Sequence, residues 1–244
     1  MDAIILTGGR GKRLGALTCN QPKATLHFAG KTLLAHALIS LADVHRQIER
    51  IYVATGYHAA MIESVLQREI STLSINTPVT VLPAERDLGG TFKSTVWALQ
   101  TACVTGGCLI AGIDVIMAKS AMTDFVTRIQ SNTRTTFVVS PLLSIAPTHG
   151  HILLKDSARI VEYRKSSAFP ASIESGNQWY SDVGIRYFSN SFVQECRSLT
   201  LNGPCDFDDV VPHLVKNGNT FNAYVLEGRW LHFGRGQDFR QKPL

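Results

Sequence analysis

Through the first part of the chain, short apolar runs alternate with stretches in which apolar residues recur every three or four positions. Ala3-Ile-Ile-Leu-Thr7 is apolar and β-branched enough to predict a buried strand. Residues 32–42 have helical periodicity, with Thr32 placed to act as N-cap. A strand over 50–55 ends at Gly56-Tyr57, and Met61, Ile62, Val65 and Leu66 mark one face of a helix over 58–68. The same alternation continues with a strand at 79–82, a helix at 93–103, a strand at 108–111, a helix at 121–129 and a strand at 135–140 stopped by Pro141. Strands and helices in turn predict an α/β protein, a mainly parallel sheet with helices on both faces. Beyond about residue 145 the texture changes. Short strands at 152–154, 160–163, 183–188 and 220–226, with two helical stretches, predict a small mixed lobe on the same domain.

Length and composition narrow the picture. The 244 residues fit one domain, 1–244, made of halves at about 1–144 and 145–244, and can bury a substantial core. The chain contains no apolar run of about 18 residues, so no membrane span is expected. The N-terminus enters a strand at once, which leaves no place for a signal peptide. Five scattered cysteines without CxxC spacing point to reduced thiols in the cytoplasm and away from a zinc site. The net charge of +5 is not gathered into a basic run with interleaved aromatics, so nucleic acid is not the expected partner. Attraction to a polyphosphate substrate accounts for the sign equally well.

The first strand supplies the candidate chemistry. It runs into Gly8-Gly9-Arg10-Gly11-Lys12-Arg13-Leu14, and Pro22-Lys23 follows. Glycines leave backbone N–H groups uncovered, so this loop can approach an anion closely. Arg10, Lys12 and Arg13 add charge, and Lys23 offers a mobile point charge for a phosphate. The pattern reads as a triphosphate cradle. It is not a Walker loop, because Gly11-Lys12-Arg13 lacks the closing hydroxyl. It is not a dinucleotide fingerprint either, because the third glycine is missing. A second candidate is Asp114, an acid just past the 108–111 strand, where open α/β sheets place ligands and where a hard oxygen donor suits Mg²⁺.

The series resembles the signature of the sugar-phosphate nucleotidylyltransferases, G-G-x-G-x-R-L followed by P-K, with Lys12 standing where the family usually has Thr. That resemblance implies a Rossmann-like fold and a nucleotide site of Leu6, Gly8, Gly9, Gly11, Lys12 and Arg13, with Arg13 and Lys23 as the catalytic pair. It also implies a base-side loop in Glu85-Arg-Asp-Leu-Gly89, with Glu85 and Gly89 at the nucleotide and the identity of the base left open. Asp114 matches the family's metal carboxylate. In the late segment Arg229-Trp-Leu-His-Phe-Gly234, however, His232 stands where the family's second carboxylate is expected. Imidazole is a poor Mg²⁺ ligand and a good one for softer metals. Three readings stay open: Asp114 and substrate phosphates hold the ion, the enzyme uses Mn²⁺ or another metal, or catalysis is impaired. On the acceptor side the resemblance implies Lys165 as a phosphate grip, Asp182 as a partner for hydroxyls, and Gly184 as the opening that admits the acceptor. The Asp206-Phe-Asp-Asp209 run reads instead as an acidic helix start.

The implied reaction joins an NTP to a small phosphorylated acceptor and releases pyrophosphate, with Mg²⁺ or Mn²⁺ as cofactor. The double glycine Gly8-Gly9 tilts the acceptor toward a hexose or heptose 1-phosphate. Two alternatives are a cytidylyltransferase for a nonsugar phosphate and a catalytically impaired regulatory protein that binds nucleotide sugars. A homo-oligomer is left open. The chain ends a few residues after the last motif, so a second activity on an acyltransferase extension is not expected.

Overall fold

A computed structural model describes residues 1–84, 88–131, 133–141, 150–165 and 178–244, and all structural statements below concern these. In chain order the elements are β1 (Asp2–Leu6), β2 (His27–Phe28), β3 (Lys31–Thr32), α1 (Leu33–Ala42), β4 (Arg50–Ala54), α2 (Ala59–Leu73) and β5 (Val79–Leu82). There follow α3 (Thr91–Thr101), β6 (Cys108–Gly112), β7 (Val115–Met117), α4 (Lys119–Ile129), β8 (Thr136–Pro141), β9 (His151–Lys155) and β10 (Arg159–Arg164). The chain closes with β11 (Trp179–Phe188), α5 (Asn190–Ser198), α6 (Phe207–Lys216), β12 (Phe221–Val225) and β13 (Trp230–His232). The expected N-cap at Thr32 is in place, its Oγ1 accepting from the Ala35 N–H at 3.0 Å.

One nine-stranded sheet organises the molecule, in the order β5-β4-β1-β6-β11-β8-β12-β10-β9. It is parallel from β5 to β6, with Ile4 of β1 level with Tyr52 on one side and Ile110 on the other. From β11 onward it is mixed: β11 runs antiparallel to both β6 and β8, and only β12 and β8 restore a parallel pair. Alternate residues of β1 feed two cores. Ala3 and Ile5 pack with Leu34, Leu38, Ile62 and Phe125 on one face. Ile4 packs with Phe92, Leu99, Phe188 and Phe207 on the other. Helices cover both faces, so β1 can be apolar from Ala3 to Leu6.

The long strand β11 joins the two halves. Its first part, Trp179–Ser181, pairs with β9, and its last part, Ile185–Phe188, pairs with β6. Between these segments the register with β8 slips, and Gly184 sits at φ +92°. A side chain at that φ would be strained, so glycine permits the bend. The strand therefore forks around residues 182–184, facing the carboxyl ends of β1 and β6. The pairs β2–β3 and β7–β13, neither visible as periodicity, add two small ribbons beside this edge.

Candidate functional site

A cleft of about 370 Å³ opens at the carboxyl ends of β1, β4 and β6. The wall expected to face the nucleotide includes Leu6, Gly8, Gly9, Gly11, Arg13 and Lys23, with Thr55 and Gly56 following β4. Thr7 ties the loop down: its N–H and its hydroxyl both donate to the Ala54 carbonyl, at 2.9 and 2.8 Å. Gly8 and Gly56 then cross so closely that a Cβ on Gly8 would lie 3.3 Å from the Thr55 carbonyl oxygen and 3.5 Å from the Gly56 nitrogen. Gly8 therefore has a packing reason of its own. Gly11 adopts φ +62° and starts a 3₁₀ segment over Lys12–Thr18, with its carbonyl accepting from the Thr18 hydroxyl at 3.0 Å. Gly9 lines the cleft and meets nothing within 4 Å, so its backbone stands open there. Lys12 is exposed and does not line the cleft.

On the cleft floor, Lys23 Nζ donates to Asp114 Oδ2 at 3.0 Å, with the two side chains only 10% and 27% exposed. His232 Nε2 lies 3.6 Å from the same oxygen. The β7–β13 ribbon makes this approach: Val115 pairs with His232, and the Phe233 N–H donates to the Asp114 carbonyl at 2.8 Å. Burial pushes the Asp114 carboxyl up, but the Lys23 ammonium and His232 outweigh it and hold the group below the usual carboxylate range. Two glycines clear the space around the pair. A Cβ on Gly112 would stand 2.9 Å from Asp114 Oδ1, and one on Gly234 would stand 2.5 Å from His232 Cε1. One carboxylate and one imidazole, with room kept beside both, fit a divalent ion whose remaining donors are water and phosphate oxygens. Among the described residues no group of three or more acidic, His or Cys side chains forms a closed metal site.

The acceptor-side wall departs from expectation. Asp182 is buried and already engaged: Oδ1 accepts from the Gly184 N–H at 2.9 Å, and Oδ2 accepts from Arg186 and from the Tyr163 hydroxyl at 3.1 Å. Tyr163 also donates toward Asp208 Oδ1 at 2.7 Å. Arg186 stacks its guanidinium 3.9 Å over the Phe207 ring. Lys165 lies outside the cleft lining, its Nζ 2.5 Å from Asp209 Oδ1 at the exposed start of α6. In this structure the lysine expected to grip an acceptor phosphate forms an ion pair to the helix. Gly89 is likewise outside the lining. Its φ of +74° and its crossing of Pro204 explain the glycine, and the neighbouring Leu88, Gly90 and Thr91 reach the cleft instead. Glu85 falls outside the described residues. The acidic run at 206–209 caps α6, as its sequence implied, with Asp206 and Asp209 forming a capping box. Asp208 turns into the cleft.

The family model described as nucleotidyl transferase matches residues 2–242. The chain belongs to the nucleotidyl transferase family. It is 25% identical over 240 residues to the bifunctional protein GlmU of Methanocaldococcus jannaschii, covering 98% of this chain and 52% of that protein. The chain therefore spans about half the length of this relative. Two solved structures share the fold. The inositol-1-phosphate CTP transferase of T. maritima superposes with a TM-score of 0.73 at 21% identity, covering 97% of this chain and 90% of that one. A Bacillus anthracis protein described as a glucose-1-phosphate thymidylyltransferase gives 0.78 at 17% identity, covering 98% and 92%. No described helix of this nucleotidyl transferase is long and apolar enough to cross a membrane.

Proposed function

We propose that this nucleotidyl transferase moves a nucleotidyl group from an NTP to the phosphate of a small acceptor, of the hexose or heptose 1-phosphate type, and releases pyrophosphate. The observation that carries the reading is the convergence of the glycine loop, Arg13, Lys23 and Asp114 in one cleft at the carboxyl edge of the sheet. An acceptor phosphate oxygen attacks the α-phosphorus, and the bond to the oxygen bridging to the β-phosphorus breaks. The electron pair leaves with pyrophosphate. Charge grows on the α-phosphate and on the leaving group, so positioning and fixed cations provide most of the catalysis. Arg13 and the N–H groups near Gly9 hold the β- and γ-phosphates. Lys23, paired with Asp114, faces the α-phosphate. Asp114 and His232 would hold Mg²⁺ or Mn²⁺, which when bound neutralises phosphate charge.

Gly8 no longer weighs on the acceptor, because its contact with Gly56 accounts for it. The sugar reading rests on family resemblance. A nonsugar phosphate is its rival, and His232 in place of a carboxylate is the observation favouring an impaired, nucleotide-sugar-binding regulator. A panel of NTPs and acceptor phosphates scored by pyrophosphate release tests all of these. Lys23→Ala should lower kcat at least a hundredfold while changing NTP affinity much less. Turnover equal to that of the unmodified protein would remove Lys23 from the chemistry, and release from no pair would favour the regulator.

A further inference from the structure

The acceptor-side wall carries an imbalance of charge and of hydrogen-bond donors. Asp182, Asp206 and Asp208 line it, and among the described residues its one lining cation is Arg186. That guanidinium is committed to Asp182 and stacked on Phe207. Arg164, next to Tyr163, is paired with Glu162, and Lys165 is held by Asp209 outside the lining. Asp206 is partly satisfied by the N–H and hydroxyl of Thr91, at 2.7 and 2.9 Å. Asp208 is not. Its only hydrogen bond among the described residues is the one from Tyr163, whose single hydroxyl proton is also claimed by Asp182. Burial raises the Asp208 carboxyl above its usual value, with Asp182 and Asp206 adding to the push against the pull of the Tyr163 bond and Arg186. Arg186, more than nine-tenths buried on the same wall, keeps Nε without a hydrogen-bond partner among the described residues. Among the described residues the wall thus gives Asp208 no ion-pair partner of its own and Arg186 Nε no oxygen, and no lining cation there is free for a phosphate.

We propose that Asp208 is a specificity residue that receives an ammonium group on the acceptor, so that the acceptor is a phosphate ester bearing a protonated amine and an oxygen, hydroxyl or ester, near Arg186. This rests on the transferase reading above. The acceptor's phosphate would point toward the α-phosphate at Lys23, and its ammonium toward Asp208. A neutral polyol could donate hydrogen bonds to Asp208 but would leave the charge uncompensated in a half-buried site. Amino-sugar 1-phosphates and amino-alcohol phosphates share the required chemistry.

Matched acceptors separate these sources. Pyrophosphate release is measured with glucosamine 1-phosphate against glucose 1-phosphate, and with phosphoethanolamine against ethylene glycol monophosphate, over the NTP panel. At least one ammonium acceptor should exceed its neutral partner by tenfold or more in kcat/KM, about 1.4 kcal/mol. The pair showing the effect names the source. Asp208→Asn should bring that ratio toward one. Neutral acceptors equal to or better than both ammonium partners, with pyrophosphate released, would overturn the assignment and leave the transferase reading intact. Release from no combination would take both down. The decisive comparison uses the unmodified protein, so it does not depend on how a variant folds.

Discussion

Replacing Lys23 by Met isolates the ion pair on the cleft floor. Two unit charges at the 3.0 Å separation of Lys23 and Asp114 attract by roughly 5.5 kcal/mol at an effective dielectric of about 20. Desolvation of the two groups offsets most of this, and the 27% exposure of Asp114 lets water replace part of the lost partner. A net loss of ~2 kcal/mol is expected. With about 2.1 cal/mol/K of unfolding entropy per residue, 244 residues give roughly 0.5 kcal/mol per degree, and Tm should fall by about 4 °C. Thermal unfolding followed by circular dichroism at pH 7, in chelator so that no divalent ion replaces the ammonium, reads this directly. Asp114→Asn and the double variant complete a cycle whose coupling should be ~2 kcal/mol. The sign of the pH dependence follows from the lowered Asp114 carboxyl. The pair's contribution is fully present above the unfolded value near 4 and fades as pH falls through the lower folded value. Strictly additive variants, or a coupling unchanged after Asp114 has been protonated, would refute the reasoning.

Three further outcomes are expected. Gly90→Ala places a Cβ 2.3 Å from the Cys205 carbonyl oxygen at φ +115°, so the loop must shift, and chemical denaturation should show a loss of about 2–4 kcal/mol. Gly234→Ala forces the His232 imidazole to turn, since Cε1 would stand 2.5 Å away. Divalent-metal affinity should weaken about tenfold or more by titration, with Tm nearly unchanged. Asp208→Asn should hold or raise Tm at pH 7, because burial beside Asp182 and Asp206 disfavours the charged carboxylate there, against Arg186 and the Tyr163 bond. Any gain should vanish as pH falls below about 4, where the unfolded carboxyl is also protonated.

The parallel half of the fold is legible in the chain because β1, β4 and β6 are buried on both faces and the helices carry apolar stripes. Ala3 to Thr7, the Thr32 cap and the 108–111 strand fall where periodicity places them. The ribbons β2–β3 and β7–β13 are only two or three residues to a strand, too short to show a period, yet β7–β13 brings His232 to Asp114. The loop motif marks Arg13 and Lys23 because bare glycines and cations are a local signal. Tyr163, Arg186 and Asp208 leave a weaker trace, since their partnership joins β10, β11 and α6. Arg186 inside the otherwise apolar Val183–Phe188 run, four residues after Asp182, is the clue that a buried pair sits there. Lys165 and Gly89 match motifs in sequence, but Asp209 and Pro204, both distant in the chain, decide where they point.

The fork in β11 also bears on how the chain can be cut. A fragment ending near residue 144 would leave β6 with one edge bare, exposing the unpaired N–H and C=O groups of a buried, apolar strand. The complementary fragment would carry β11 with its last four residues stripped of their neighbour. Neither piece can close its own sheet. The two walls of the cleft, though drawn from different parts of the sequence, should melt together, and separately expressed halves should be recovered as aggregates or, when mixed, as a reassembled pair.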